Sequence, residues 1–236
     1  MRKAKQWSFL ISIILIVFLG IGIYIVIYGI SSKIVNIDKE DYPVKGIDIS
    51  SHNGSIDFKK VEEDGVSFVL IKATEGASFK DNRFESNYSG VRNTGMKVGA
   101  YHFFRFDING TLQGMNLLNA IRGKMLDLPV AIDVEEHGNP ATPTPSVIKR
   151  LNEMIEHISA KGYDIMIYTN SNGYKRFIEP YFADYPLWIC KFSKPHNDIE
   201  WKFWQYSHWG EVDGISGEVD LNIFNGSEKD LENILR

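Results

Sequence analysis

Apolar and polar positions divide this chain into three stretches. Phe9 to Ile30 is apolar almost throughout, broken by Ser12, small glycines and two tyrosines. Ser31 to Tyr42 is polar and charged without a clear period. From Val44 onward, short apolar runs alternate with segments of helical period. The runs Val44–Ser50, Ser67–Ala73, Lys97–Phe104, Pro129–Glu135 and Asp164–Thr169 have the length and apolar content of buried strands. Between and after them, helical patterns run over Phe58–Asp64, Asn82–Thr94, Thr111–Arg122, Thr144–Ala160 and Gly173–Ile178. Gly65, Gly95 and Lys161-Gly162 supply helix stops, and Thr144-Pro145 is a helix start.

After Ile178 the rhythm changes. Pro186–Phe192, Trp201–Tyr206 and Glu218–Asn222 read as strands with no helical pattern between them. Parallel neighbours need a crossover of about a dozen residues. Lys194 to Glu200 is too short for one, and Ser207 to Gly217 is short and glycine-rich. The pattern therefore predicts five β/α units followed by three strands, at least partly antiparallel. Alternating strands and helices argue for a parallel α/β sheet, and eight strands can close into a barrel.

The apolar run 9–30 is about 22 residues, enough to cross a hydrocarbon core at roughly 1.5 Å per residue. Arg2, Lys3 and Lys5 precede it and no acid does, which places the N-terminus in the cytoplasm and the rest outside. A cleaved signal peptide is the alternative, but its apolar region is usually shorter and ends at a small-residue site. Tyr28-Gly29-Ile30-Ser31-Ser32 matches such a site poorly. The expected organisation is a basic cytoplasmic N-terminus (1–8), one transmembrane helix as an uncleaved anchor (9–30), a stalk (31–43) and one domain (44–236). The exported part, 31–236, carries 23 Lys+Arg against 30 Asp+Glu, near −7, which does not support a nucleic-acid surface. Cys190 is the only cysteine, so the exported domain relies on its core rather than on an internal disulfide. No metal-spaced His/Cys cluster or phosphate loop stands out, and His52, His102 and His137 have no matched spacing. No metal or cofactor is expected.

The chemistry concentrates in carboxylates. Asp133 and Glu135 close the run Leu128-Pro129-Val130-Ala131-Ile132, and on a strand residues i and i+2 face the same way. Two close carboxyls do not both ionise freely, and a protonated one beside an ionised one is the equipment for cleaving a glycosidic bond. In a barrel the strand C-termini form the active face. Asp48 ends the first strand and Asp220 lies on the last, and closure would set those two strands side by side. Each could instead cap a turn. Glu75, after the second strand, is a further candidate with a solvated loop acid as the alternative. Tyr101, Tyr168 and Trp188 are candidates for stacking on sugar, against a core-packing reading.

Together these residues resemble the family 25 glycoside hydrolases, the Chalaropsis-type lysozymes or muramidases. The resemblance runs from about Lys45 to Phe224. It is carried by Gly46-Ile47-Asp48-Ile49-Ser50, Phe68 through Gly76, Gly99-Ala100-Tyr101-His102-Phe103, Asp133-Val134-Glu135, Trp204-Gln205-Tyr206 and Val219-Asp220-Leu221-Asn222. It implies a flattened (β/α)5β3 TIM-like barrel. It also implies cleavage of the β-1,4 bond between N-acetylmuramic acid and N-acetylglucosamine. By the resemblance Glu135 is the general acid and Asp133 its partner, with Asp48 and Asp220 completing the acid set. Tyr101, Tyr168, Trp188, Gln205 and Glu75 are expected substrate contacts. Asn53 and Trp188-Ile189-Cys190-Lys191 depart from the family pattern, at positions that bear on sugar contacts rather than on the acids.

The expected partner is peptidoglycan, with the membrane engaged through residues 9–30. The expected location is the outer side of a Gram-positive cell membrane, which suits local wall opening, for example at an envelope-spanning secretion or DNA-transfer machine. Two mechanisms stay open: assistance by the substrate's own acetamido group, with Asp133 ionised, or inversion through an activated water. Two rival functions stay open as well, a non-catalytic wall-binding module and a glycosidase of another N-acetylated polymer such as chitin.

Overall fold

A computed structural model describes Leu19, Ile21, Val35, Ile37, Asp38 and residues 40–234. The chain divides into two units, Met1–Asn36 and Ile37–Arg236. The expected segment 1–8, all of 9–30 except Leu19 and Ile21, and residues 31–34, 36 and 39 of the expected stalk lie outside the described residues. No helix among the described residues is long and apolar enough to cross a membrane.

The second unit is a closed barrel. Its elements run β1 (Lys45–Ile49), α1 (Phe58–Glu63), β2 (Phe68–Glu75), β3 (Phe79–Lys80), α2 (Phe84–Arg92), β4 (Lys97–Phe103), α3 (Gly110–Ile121) and β5 (Val130–Asp133). They continue with α4 (Thr144–Ser159), β6 (Ile165–Asn170), a short helix Ser171–Gly173 passing into a π turn Tyr174–Ile178, β7 (Leu187–Cys190), β8 (Phe203–Gly210), β9 (Val219–Phe224) and α5 (Glu228–Glu232). Strand β1 pairs parallel with β2 on one side and antiparallel with β9 on the other, which closes the sheet. Eight strands form the wall, and β3 only folds back on the end of β2. Five β/α units followed by β7, β8 and β9 agree with the predicted order.

Three details differ from the sequence reading. First, β7 and β8 are parallel, with Trp188 opposite Phe203 and Cys190 opposite Gln205. The two strands are shorter at their facing ends than predicted, so the link spans 191–202 and has room for a crossover without a helix. The antiparallel character resides in β9, against both β8 and β1. Second, β8 continues to Gly210, four residues beyond its predicted end. Third, β5 ends at Asp133, and Glu135 follows it in the outgoing loop.

Local chemistry accounts for the elements. In α4, Val147, Leu151, Met154, Ile155 and Ile158 form one buried stripe at helical spacing. Asp57 caps α1 by accepting from the Lys60 N–H, and Asn109 caps α3 by accepting from the Leu112 N–H. Inside the barrel, Phe68, Leu70, Met166, Phe203 and Phe224 fill the floor, with Phe68 edge-on to Phe203 at 5.2 Å between centroids. Gly46 makes room for that packing, because a Cβ there would meet the Phe68 ring at 2.3 Å.

Gly46→Ala should therefore overpack the floor and cost about 1–3 kcal/mol. A lowered urea midpoint with an unchanged slope is the expected result; an unchanged midpoint would show that the Phe68 ring has space to move.

Candidate active site

A cavity of about 390 Å³ opens at the strand ends. Asp48, Tyr101, Asp133, Glu135, Tyr168, Trp188, Gln205 and Asp220 all line it. Eight of the nine predicted site residues thus converge. Glu75 is the exception: it does not line the cavity, but pairs with Lys72 at 2.9 Å and Arg105 at 3.6 Å.

Asp133 sits in register between Phe103 on β4 and Tyr168 on β6, with Trp188 next on β7. Rings on both sides strip water from it. Asp133 is 6% exposed, and its Oδ1 is buried with no hydrogen-bond partner. Burial, then the Glu135 charge, pushes its carboxyl well above the usual carboxylate range, against the opposing pull of Lys72. Desolvation thus favours the proton on Asp133 in the free protein.

Glu135 is half-buried, and its carboxyl is also raised, chiefly by burial. His137, His208 and a hydrogen bond from Asn170 pull the other way. Asn170 is fixed for that contact, because its Oδ1 accepts from the Asn172 and Gly173 N–H groups and leaves its amide to donate. Asp133 and Glu135 share one small wall, so their protons belong to the pair rather than to either residue.

The opposite wall is built by barrel closure. Asp48 on β1 lies directly across from Asp220 on β9. Asp48 Oδ2 accepts from Gln205 Nε2 and Asn222 Nδ2, each at 2.7 Å. Those amides are oriented in turn: Tyr168 OH donates to Gln205 Oε1, and Trp188 Nε1–H donates to Asn222 Oδ1, each at 2.8 Å. Burial first, and Asp220 second, raise the Asp48 carboxyl well above its ordinary value. Tyr168 and Trp188, ring centroids 4.4 Å apart, are 7% and 2% exposed, so they act as floor and orienting donors as well as cavity lining. Tyr101 stands edge-on to Trp188 at 6.1 Å.

Sequence reasoning missed several lining residues. Lys72, Asn170 and Cys190 each follow an inward residue by two positions, after Leu70, Tyr168 and Trp188. Strand alternation could have found them. Asn222, two past Asp220, does not line the cavity but is buried behind it, holding Asp48. His208 is different. The register of β8 slips between Gln205 and Ser207, so His208 reaches the cavity three positions after Gln205 and defeats period-two extrapolation. Its Nδ1 meets Asp220 Oδ1 at 2.6 Å, and that hydrogen bond raises the imidazole above its usual value. His102 is a buried structural histidine: its Nε2 faces Gln113 Oε1 at 3.1 Å and its Nδ1 faces Thr74 Oγ1 at 2.7 Å. Burial lowers its pKa to about 4.

The sequence model described as "Glycosyl hydrolases family 25" matches residues 47–215, and the chain belongs to that family. It is 39% identical over 184 residues to the "Autolytic lysozyme" of Clostridium acetobutylicum, covering 77% of this chain and 56% of that protein. The chain thus spans little more than half of that relative's length. It is 35% identical over 201 residues to "Lysozyme M1" of Streptomyces globisporus, covering 78% of this chain and 68% of the other. Among solved structures, a family 25 glycosyl hydrolase from Bacillus anthracis superposes with a TM-score of 0.77 at 33% identity, covering 84% of this chain and 95% of that one.

A carboxyl raised by burial binds its proton more tightly in the folded chain than in the unfolded one. Its stabilising contribution is full at low pH and is lost as pH rises from about 4 through the raised folded value. Asp48→Asn removes that loss while keeping an oxygen to accept from the two amides. The variant should match wild type in thermal stability near pH 4 and exceed it increasingly toward pH 8. Equal stability at both ends would mean that the buried charge is not a burden.

Proposed function

We propose that this protein is a peptidoglycan hydrolase, an N-acetylmuramidase that cuts the β-1,4 bond between N-acetylmuramic acid and N-acetylglucosamine. One observation carries the reading: two carboxyls with raised proton affinity, Asp133 and Glu135, share the wall of a cavity at the active face of a family 25 barrel. The names of its lysozyme relatives support the substrate.

In this reading Glu135 donates its proton to the glycosidic oxygen as the bond breaks. Its raised proton affinity keeps it loaded above the ordinary glutamic acid range, while the half-exposed position lets it reach the leaving group. The substrate's acetamido oxygen attacks the anomeric carbon from the other face, and Asp133 accepts a hydrogen bond from the acetamido N–H. That donor, with Lys72 nearby, favours the ionised form of Asp133 that the empty site disfavours. Water then attacks the anomeric carbon, displaces the acetamido oxygen so that the acetamido group is restored, and passes a proton to the Glu135 carboxylate. Asp48 holds Gln205 and Asn222 in place beneath the ring, and Asp220 holds His208 at the cavity edge.

We also propose that residues 9–30 anchor the enzyme in the membrane, with the stalk 31–43 keeping it close to the inner wall. Local wall opening, as at an envelope-spanning machine, suits that arrangement. The apolar run behind Arg2, Lys3 and Lys5 supports it. Cell fractionation should find the protein with membranes; recovery mainly from the medium would remove the anchor.

Digestion of purified peptidoglycan, reduction of the new ends and mass spectrometry test the activity. Wild type should release muramitol ends, and Glu135→Gln should lower kcat by at least about 10²-fold. Glucosaminitol ends would change the bond cut, and binding without release would indicate a wall-binding module. NMR of the first-formed product should show the β-anomer; an initial α-anomer would replace acetamido assistance with inversion.

A further inference from the structure

The cavity has one edge to which the proposed mechanism assigns no bond-cutting step. Where β7 leaves the barrel and β8 overruns its predicted end, three rings meet. Phe192 lies 4.6 Å from His208 and 5.3 Å from Trp209, centroid to centroid. Phe192 and His208 line the cavity itself, and Trp209 adjoins them outside it. Phe192 is 40% exposed and Trp209 37%, whereas Trp188, Trp201 and Trp204 are buried.

Two adjoining large rings that are each more than a third exposed at the mouth of a cavity form a contiguous apolar patch of the kind that marks a ligand contact. A pyranose suits such rings, since its C–H faces are apolar and its edge carries hydroxyls and the acetamido group. A ring stacks on the first and a directional donor reads the second. The cavity, about 390 Å³, is at the small end of ligand pockets, so a glycan strand must continue over the rim.

His208 provides the donor. Its Nδ1 is held by Asp220 on β9 at 2.6 Å, which fixes the ring and favours the imidazolium. Its Nε2 lies 4.0 Å from Cys190 Sγ on β7, a weak partner at best. The charged groups acting on it are Asp220 on β9, Asp48 on β1 and Glu135 beyond β5, and all three favour protonation.

We infer that Phe192, His208 and Trp209 form a further sugar subsite on the rim of this cavity, in which the two apolar rings stack on an N-acetylhexosamine of the strand and His208 donates from Nε2 to one of its oxygens. The subsite rests on the proposed muramidase reading and adds a binding element outside the bond-cutting pair. It also makes glycan affinity depend on the protonation of one histidine. Below the raised imidazole pKa, Nε2 is a charged donor. Above it, with Nδ1–H kept on Asp220, Nε2 is only an acceptor.

The test uses the full chain carrying Glu135→Gln, which binds strands without cutting them, and soluble un-cross-linked peptidoglycan strands as the probe. Calorimetry at about pH 5.5 and about pH 9.5 brackets the imidazole. Adding Phe192→Ala with Trp209→Ala should raise Kd about tenfold at both pH values. Adding His208→Ala should raise it about fivefold at the lower pH and leave it nearly unchanged at the higher. Phe192→Tyr with Trp209→Phe keeps the ring faces and should retain affinity. The subsite is overturned if the double alanine variant binds like its parent, or if the ring-preserving variant is as weak as the alanine one, which would indicate lost packing. A parent that binds no strand at all would remove the muramidase reading together with the subsite.

Discussion

Desolvation of the carboxyls is the constraint on which the site depends. Barrel closure puts Asp48 opposite Asp220, and the layer of Phe103, Tyr168 and Trp188 seals Asp133. In water these acids would be ionised and chemically idle at neutral pH. With water removed, the charged forms become costly, and protons stay on groups that would otherwise release them. The network Trp188–Asn222–Asp48–Gln205–Tyr168 shows how far the fold goes to hold one such acid. Each polar atom in it is oriented by another, so the floor of the cavity is rigid before any substrate arrives.

The same constraint gives the two acids after β5 different surroundings, which is what the proposed mechanism requires of them. Asp133 ends the strand, is nearly sealed and lacks a partner for one oxygen. Glu135 lies two residues on, beyond the strand, half-exposed and within the influence of His137, His208 and Asn170. A group that must hand over a proton and take it back needs both a raised affinity and access, and Glu135 has both. A group that steadies substrate needs fixed position more than access, and Asp133 has that.

Most of this was legible in the sequence because the signals were local. The apolar runs located all eight wall strands, and the strand-end acids located the active face. What escaped depended on pairing between distant segments. The parallel β7–β8 link was misjudged because the strand ends were placed too generously, leaving too few residues for the crossover. Glu75 looked like a site acid by its place after the predicted second strand, but it is the last residue of β2 and pairs with Lys72 and Arg105. His208 was invisible because a bulge is a property of two strands together, and nothing within Gln205-Tyr206-Ser207-His208 announces it. Tyr168 and Trp188 were read as either core or sugar contacts; they belong to the core and the cavity at once, since a barrel's active face is also the top of its core.

The account rests on a proton retained by the Asp133–Glu135 pair at pH values where ordinary carboxyls are empty. Carbon-13 NMR of the labelled side-chain carboxyls, followed across pH in the free protein, measures that directly. The account predicts that at least one of the two titrates well above the ordinary range near about 4. If both ionise near that value, desolvation does not govern the site, and the division of roles between Asp133 and Glu135 falls with it.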